Sequence, residues 1–307
     1  MPVLGLGTYK STDPAECSVS VKAALECGYR MIDTAQLYGN EDVVGKAIKE
    51  SGIPRDEIFI TTKIWCDNFS HARKSVMESL TKLGTDYIDL MLLHWPYGDI
   101  YAAWRDLEAL YKEGVLRAIG VSNFNTDRLI DLINYNEIRP AVNQIETNLQ
   151  AQRLKEHEWM TRLNVQHEGY MPFGQGRANE MFEDPKILEI AAKYGKTPRQ
   201  VALRYQIQCG VIIIPKSVNP ERVRANADVY LDSLWQKGTA AYTEGNWRES
   251  LDSWKAVENT GVVSPELYYN IGNSYFKSGD YAHAILYYER TLKSRPSIAE
   301  ITSTASL

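Results

Sequence analysis

Polar and aromatic side chains recur where short apolar runs of this sequence end. The residues at the ends of these runs have acidic, basic, amide, hydroxyl or phenol groups. They are Asp33, Lys63, His94, Ser122-Asn123, Gln144, Tyr170 and Lys216-Ser217. One such position alone is uninformative, since a lone lysine or histidine usually lies on a solvated surface or in a core. Seven such positions, one after another along the chain, predict a cluster of polar groups at the opening of an apolar scaffold. Some of these groups can donate or accept protons.

The apolar runs themselves are predicted to be strands. They are Leu4–Tyr9, Arg30–Ala35, Ile58–Ile64, Asp89–His94, Leu116–Asn123, Ala141–Glu146, Val165–Phe173 and Val211–Ser217. Several are almost continuously apolar, which is typical of parallel strands buried on both faces. Amphipathic stretches such as Ser70–Leu83, Tyr101–Glu113 and Ile187–Tyr194 lie between them. Eight strand–helix alternations predict a closed (β/α)8 barrel, in which reactive groups gather at the C-terminal ends of the strands.

A doubly wound open sheet is the competing architecture. Such a sheet usually marks its cofactor site with a Gly-rich turn after the first strand. The segment Gly5-Leu6-Gly7-Thr8 lacks the third glycine of that turn. The barrel is therefore the favoured fold.

Composition narrows the class of protein further. The 307 residues suffice for one large barrel, and a net charge of −5 argues against nucleic acid as a partner. No apolar run reaches the roughly 18–20 residues needed to span a bilayer, so no membrane contact is expected. The first residues show no export signal, and the four scattered cysteines fit a reduced cytoplasm. We predict a cytoplasmic protein without a metal site.

Seven segments, in order, resemble the aldo-keto reductase family over about residues 2–226. They are Gly28–Ala35, Tyr38–Glu41, Thr62–Trp65, Leu93–Pro96, Gly120–Phe124, Asn143–Glu146 and Ile214–Ser217. The segment Tyr170–Arg177 is similar to the prokaryotic diketogluconate and methylglyoxal reductase branch. The resemblance implies an NADP(H)-dependent oxidoreductase that reduces small aldehydes or ketones to alcohols.

The resemblance also assigns a catalytic tetrad, Asp33, Tyr38, Lys63 and His94. Tyr38 would give the proton, although a phenol with a pKa near 10 is a poor acid at neutral pH. We expect Lys63 to lower that pKa, Asp33 to hold Lys63 charged, and His94 to orient the substrate oxygen.

The cofactor residues follow from the same resemblance. They are Gly7, Thr8, Ser122, Asn123, Gln144, Tyr170, Phe173, Gly174, Gln175, Lys216, Ser217, Arg222 and Asn226. Ser122, Asn123 and Gln144 would bind the carboxamide, and Tyr170 would stack on the nicotinamide. Lys216, Ser217 and Arg222 match the site of the adenosine 2′-phosphate, which favours NADPH over NADH. One departure is Ala225, where the family often has a glutamate.

Trp65 and Trp95 flank the reactive groups and are predicted to wall the substrate pocket. The family usually has a small N-terminal hairpin, and after the position of Asn226 a further helix and a C-terminal loop. These features are missing from the sequence pattern, so substrate specificity does not transfer. A natural fusion, an engineered chimera and a misassembled reading frame would all give this pattern.

A different pattern begins near residue 227. An offset of 34 residues aligns Gly238 with Gly272, Gly245 with Gly279, Trp247 with Tyr281, Ser250 with Ala284 and Trp254 with Tyr288. This period, ending at Pro296, resembles the tetratricopeptide repeat, a helix-turn-helix unit. We therefore expect a barrel over 1–226 and a small all-α unit of two repeats over 227–307.

Two functions are consistent with this organisation. The first is an NADPH-dependent reductase of a small carbonyl substrate. The second is a catalytically impaired barrel fused to a helical-repeat module that binds a protein or peptide. The complete tetrad and the 2′-phosphate residues favour the first, while the missing loop and Ala225 keep the second open.

Overall fold

The computed structural model describes residues 1–175, 178–260 and 262–294. Gly176, Arg177 and Pro296, which belong to the motifs above, lie outside these residues. The chain divides into two compact units, Met1–Val229 and Tyr230–Leu307. Among the described residues, no helix is both long and apolar enough to cross a membrane.

The first unit is built on an eight-stranded parallel sheet whose strands follow the chain order. The sheet closes on itself, because the amide of Gly5 donates to the carbonyl of Ile213 over 2.9 Å and Gly7 donates to Pro215 over 3.2 Å. The predicted barrel is thereby confirmed. The strands are β1 Leu6–Gly7, β2 Met31–Asp33, β3 Phe59–Ile64, β4 Leu90–Leu93, β5 Ile119–Ser122, β6 Val142–Glu146, β7 Gln166–Tyr170 and β8 Ile212–Ile213.

Several strands are shorter than predicted from the apolar runs. The run at Val165–Phe173 yields β7 only as far as Tyr170, and the run at Val211–Ser217 yields only Ile212–Ile213. Pro172 and Pro215 follow these strands and have no amide hydrogen for a strand ladder. Regular strand pairing therefore ends before each proline, although the carbonyl of Pro215 still accepts a hydrogen bond from Gly7 of β1. The residues that follow form loops at the barrel mouth.

Helices alternate with the strands and cover the outer face of the sheet. Their ends follow local sequence, as at the ninth helix, where Thr197 and Gln200 form a reciprocal capping box and Gly195 ends the preceding helix in a left-handed conformation. The helices of the first unit are α1 Pro14–Glu26, α2 Glu41–Glu50, α3 Ala72–Leu83, α4 Ile100–Lys112, α5 Thr126–Tyr135, α6 Leu154–Arg162, α7 Ala178–Phe182, α8 Pro185–Tyr194 and α9 Pro198–Gln208. The next helix, α10 Pro220–Thr243, contains the boundary between the units.

The second unit is helical throughout its described residues, and its internal repeat is visible in its packing. After the end of α10 come α11 Trp247–Glu258, α12 Pro265–Lys277 and α13 Tyr281–Lys293. A Cβ on Gly238 would lie 2.6 Å from Trp254, and a Cβ on Gly272 would lie 2.8 Å from Tyr288. Both pairs belong to the 34-residue alignment, so the same glycine–aromatic contact occurs twice. The predicted helical repeat is confirmed.

One close helix contact in the barrel depends on the absence of a side chain. A Cβ on Gly45 of α2 would lie 2.2 Å from the carbonyl oxygen of Leu83, at the end of α3. Because the obstacle is backbone, no side-chain rotation can relieve it.

Gly45→Ala should therefore destabilise the barrel by about 1–3 kcal/mol, the usual cost of overpacking. Urea unfolding followed by circular dichroism measures the change. Lys49→Ala, at an exposed position of the same helix, is the matched control and should shift stability by at most about 0.5 kcal/mol. Equal stability of both variants would contradict the packing described here.

Candidate active site

A cavity of about 520 Å³ opens at the C-terminal ends of the barrel strands. Most of the predicted site residues line it. These are Gly7, Asp33, Tyr38, Trp65, His94, Trp95, Ser122, Asn123, Gln144, Tyr170, Phe173, Gly174, Gln175 and Lys216. Lys63, Thr8, Ser217, Arg222 and Asn226 lie outside its lining.

A fully buried ion pair lies beneath the cavity. Asp33 ends β2, Lys63 is the penultimate residue of β3, and Nζ of Lys63 lies 2.6 Å from Oδ1 of Asp33. Nζ also donates to the carbonyl of Thr34 over 2.8 Å, while Nε2 of Gln144 donates to Oδ2 of Asp33 over 2.8 Å. Burial opposes the charge of Lys63, but the neighbouring groups, Asp33 foremost, together outweigh burial and raise the pKa of the ammonium group. The lysine is therefore charged at neutral pH.

Tyr38 lies on a 3₁₀ turn, Gln36–Tyr38, directly after β2. Nζ of Lys63 is 5.1 Å from the centre of its ring, and the ring of His94 is 5.8 Å away, edge on. Burial is the largest influence on the pKa of Tyr38 and raises it. Lys63 acts to lower this pKa, as expected, but does not outweigh burial. In this structure the phenol is therefore held protonated at neutral pH.

His94 follows β4 and is 7% exposed. Burial, reinforced by the charge of Lys63, lowers the pKa of its imidazole to about 3. The ring is neutral at physiological pH, so it can donate a hydrogen bond without carrying charge. Trp65 packs edge on against it at 5.3 Å.

A hydrogen-bonded group of polar side chains forms one wall of the cavity. Nδ2 of Asn123 donates to the carbonyl of His94 over 3.1 Å, and the hydroxyl of Tyr170 donates to Oδ1 of Asn123 over 2.7 Å. The hydroxyl of Ser122 donates to the carbonyl of Gln144 over 2.9 Å. The structure thus brings together the four residues predicted to contact a nicotinamide.

Strained backbone surrounds this wall. Asn123, Lys10 and Met171 all line the cavity and adopt positive φ angles of 64°, 59° and 51°. Such conformations are costly for residues other than glycine and cluster at functional sites.

Thr8, which was predicted to contact the cofactor, is not among the residues that line the cavity. Its hydroxyl donates to the carbonyl of Asp33 over 3.0 Å, and its side chain is buried. The structure therefore gives Thr8 the role of fixing the end of β2. Gly7 does line the cavity, and a Cβ there would lie 2.8 Å from the carbonyl of Ile214.

The remaining cofactor candidates surround the beginning of α10. Oδ1 of Asn219 accepts the amides of Glu221 and Arg222, and Ser217 exchanges hydrogen bonds with the Asn219 backbone. Lys216 and Arg222 are exposed, whereas Asn226 is buried one turn further along the helix. Neither Lys216 nor Arg222 forms an ion pair within the described part of the chain. A helix N-terminus with two free cations suits a phosphate group.

Several further residues of the cavity wall were not predicted from the sequence. Tyr9, Lys10, Leu37, Met171, Pro172 and Ile214 also line it. Trp95 stacks on Tyr97 with ring centres 5.6 Å apart. No spacing in the sequence identifies these residues, because they come from loops that meet only in the folded barrel.

The most important omission is Glu168 of β7, which is 0% exposed. It pairs in register with Gln144 of β6. Burial, reinforced by the negative charge of Asp33, raises the pKa of Glu168 to about 8. A signal was present in the sequence, because Glu168 lies two residues before Tyr170 and thus on the same face of the strand.

Comparison with known proteins gives two family matches. The model of the aldo/keto reductase family matches residues 3–243, and that of the tetratricopeptide repeat matches residues 265–298. The second match contains α12 and α13, the second of the two helical pairs.

Individual relatives resemble the first unit. Methylglyoxal reductase DkgA of Salmonella typhimurium is 44% identical over 233 residues, which cover 75% of this chain and 84% of the relative. Glyoxal reductase of Bacillus subtilis is 42% identical over 240 residues, which cover 77% of this chain and 86% of the relative. Among solved structures, an aldo-keto reductase from a Medee basin deep-sea metagenome library superposes with a TM-score of 0.73 at 44% identity, covering 75% of this chain and 86% of its own. An aldo-keto reductase of Bombyx mori in complex with NADP superposes with a TM-score of 0.71 at 35% identity. The match covers 75% of this chain and 84% of that chain.

Glu168→Gln tests the buried carboxyl group. Folding raises the pKa of this carboxyl group from its unfolded value, near 4.3, to about 8. The group therefore contributes its full stabilising free energy below about pH 4.3, and this contribution is lost as the pH rises towards 8. The amide cannot ionise, so the variant should gain stability relative to wild type between pH 5 and pH 8. Thermal unfolding at several pH values measures the difference. A difference in stability between Glu168→Gln and wild type that does not change with pH would contradict the neutral state of Glu168.

Proposed function

Because the chain belongs to the aldo/keto reductase family and is an oxidoreductase, we propose that it reduces small aldehydes or ketones to alcohols with NADPH as the reductant. The observation that carries the proposal is the convergence of Tyr38, His94 and the buried Lys63–Asp33 pair at the base of one cavity. The reaction needs hydride at the carbonyl carbon and a proton at the carbonyl oxygen. When bound, the nicotinamide supplies the hydride.

Tyr38 supplies the proton in this proposal. Burial keeps its hydroxyl protonated before the reaction, so the acid is ready at neutral pH. As the oxygen of the substrate gains negative charge, the Tyr38 proton moves to it and a phenolate is left. The ammonium group of Lys63 then stabilises that phenolate, an interaction stronger in the transition state than in the ground state.

His94 orients the substrate in this proposal. Its neutral ring donates a hydrogen bond to the carbonyl oxygen, so that one lone pair faces Tyr38. Because the pKa of His94 is about 3, this donor does not change its charge across the physiological range. Trp65 and Trp95 exclude water from the aromatic side of the cavity.

The residues near the cavity fit NADPH. Ser122, Asn123 and Gln144 offer amide and hydroxyl groups for the carboxamide, and Tyr170 offers a ring face for the nicotinamide. Phe173, Gly174 and Gln175, in the loop after β7, would cover the pyrophosphate. At the start of α10, Lys216, Ser217 and Arg222 would hold the 2′-phosphate, and Asn226 would contact the adenine. Ala225 offers no carboxylate to the adenine, which lowers the expected affinity without changing the preferred cofactor.

Small dicarbonyls are the favoured substrate class. The names of two relatives, methylglyoxal reductase and glyoxal reductase, support this choice. Fluorescence titration with NADPH followed by turnover of methylglyoxal tests the function. Absence of both binding and turnover would instead favour the impaired barrel with a protein-binding tail.

Tyr38→Phe should lower kcat for methylglyoxal by about 10²- to 10⁴-fold, the usual contribution of a positioned general acid. NADPH affinity should stay within about threefold, because the lost hydroxyl group is assigned to the substrate alone. Stopped-flow kinetics and fluorescence titration provide the two readouts. Tyr9→Phe removes a hydroxyl group from a neighbouring ring, 5.1 Å from Tyr38, and should keep most of the activity. Substantial turnover by Tyr38→Phe would refute its role as the acid.

Arg222→Ala should weaken NADPH binding far more than NADH binding, since only NADPH has a 2′-phosphate. A charge-assisted contact contributes roughly 1.5–3 kcal/mol, or about 10- to 150-fold in Kd. Arg224→Ala is the matched control, because Arg224 is also exposed on α10 but pairs with Glu26 at 3.5 Å. If Arg222→Ala weakens both cofactors equally, the 2′-phosphate assignment is wrong.

A further inference from the structure

Glu168 is a buried carboxyl group that takes no part in the proposed transfers of a proton and a hydride. Its side chain is 0% exposed, and neither of its carboxyl oxygens forms a hydrogen bond within the described part of the chain. Burying a polar group without a partner is costly, and burying it in its charged form costs far more. A buried polar group of this kind calls for an explanation in structure or in function.

The side chain of Glu168 points into the barrel. Its neighbour in β7, His167, contacts His157 of α6 with the two Nδ1 atoms 3.0 Å apart, so His167 faces outward. Because successive side chains of a strand alternate between its two faces, Glu168 faces inward. Its register partner in β6, Gln144, also faces inward, since the side-chain amide of Gln144 donates to Asp33.

Glu168 is therefore adjacent in the sheet to residues proposed to bind the nicotinamide. Gln144, in register with Glu168, is proposed to bind the carboxamide. Tyr170, which is proposed to stack on the ring, lies two residues further along the same face of β7. Two residues of a strand span about 6–7 Å, and charges at such separations interact appreciably inside a protein. A charge on Glu168 would therefore act on a charge of the nicotinamide ring.

The groups around Glu168 decide which carboxyl group holds the negative charge. Asp33 holds it, because Asp33 contacts the ammonium group of Lys63 at 2.6 Å and accepts the amide of Gln144. On its other side, Glu168 pairs with the apolar Ile212 of β8. Burial foremost, and then the charge of Asp33, raise the pKa of Glu168 to about 8, while Gln144 and Lys63 act against this rise. At neutral pH, Glu168 therefore holds its proton.

We propose that Glu168 couples a proton to the redox state of the bound cofactor, an inference that rests on the nicotinamide site of the proposed function. Its carboxyl group keeps the proton beside the uncharged ring of NADPH and releases it to the solvent when the positively charged ring of NADP+ is bound. The O–H bond of the carboxyl group breaks, a carboxylate forms, and no electron is transferred in this step. The affinity for NADP+ relative to NADPH therefore rises with pH.

The ratio of the dissociation constants of NADPH and NADP+ is the quantity that tests the inference. Both cofactors carry the same 2′-phosphate, so titration of that group cancels in the ratio. Tyr38 and Lys63, whose pKa values are raised, stay protonated over the pH range used. Isothermal titration calorimetry of the full-length protein should show the relative affinity for NADP+ rising at least about fivefold between about pH 6.5 and pH 9, since a coupling of one pKa unit changes an affinity by up to tenfold.

The same calorimetry counts the released protons when it is repeated in buffers of different ionisation enthalpy. At about pH 7.5, binding of NADP+ should release about half a proton more per protein molecule than binding of NADPH, for a coupling of one pKa unit. This measurement uses the wild-type protein, so it tests the inference even if a variant at Glu168 does not fold.

Two variants identify the group that titrates. Glu168→Gln removes the ionisable group at nearly constant shape, so the ratio should become independent of pH and the additional proton release should disappear. Glu146→Gln is the matched control, because Glu146 ends β6 in register with Tyr170 but is partly exposed and accepts a hydrogen bond from Asn148. This control should keep the pH dependence of the wild type. Circular dichroism should show the wild-type helix content for both variants.

The remaining outcomes separate this inference from the proposed function. Binding of neither cofactor would refute both together. Binding of both cofactors with a ratio that does not change with pH, or with equal proton release, would refute the role of Glu168 alone. A pH-dependent ratio that survives Glu168→Gln, or that Glu146→Gln abolishes, would assign the proton to another group and would also overturn the inference.

Discussion

The buried pair of Lys63 and Asp33 is the interaction on which the proposed chemistry depends. Two charges removed from water are costly unless they are close and fully hydrogen-bonded. Here Lys63 is 0% and Asp33 2% exposed, at a separation of 2.6 Å. Strands β2 and β3 are adjacent and parallel, with Asp33 in register with Thr61. The barrel thus places a permanent cation beneath a phenol, and the walls of the cavity are arranged around that point.

In the proposed mechanism, the environment of Tyr38 determines how this residue acts as the acid. From the sequence, we expected Lys63 to make the phenol of Tyr38 more acidic. In the folded chain, burial outweighs that influence, and the phenol stays protonated in the resting site. In the proposed mechanism, Lys63 acts mainly during proton transfer, when it stabilises the negative charge that forms on Tyr38. Stabilising charge at this stage of a reaction accelerates it. Glu168 is close enough to feel the charges of Asp33 and Lys63, and its raised pKa of about 8 limits the negative charge close to Asp33.

Much of the barrel and of the site was predictable, because both follow from patterns within short stretches of the sequence. Polar groups after apolar runs identified Asp33, Lys63 and His94, since parallel strands bring their C-terminal ends together. Tyr9 was missed because its contacts arise from loop geometry. Glu168 was missed although it lies on the same face of β7 as Tyr170, in register with Gln144 of β6. Thr8, predicted to contact the cofactor, lies outside the cavity lining, and its hydroxyl donates to the carbonyl of Asp33 at the end of β2. The 34-residue offset identified the repeats, since Gly238 and Gly272 make the same close contact in each.

The most direct test of the account is single-turnover reduction of methylglyoxal by Lys63→Met with saturating NADPH. Methionine approximates the length of lysine but carries no charge, and NADPH fluorescence reports whether the cofactor still binds. The account predicts NADPH binding within about threefold of wild type and a hydride-transfer rate reduced by at least about 10²-fold. A variant that binds NADPH and reduces methylglyoxal at close to the wild-type rate would contradict the central role of the buried pair.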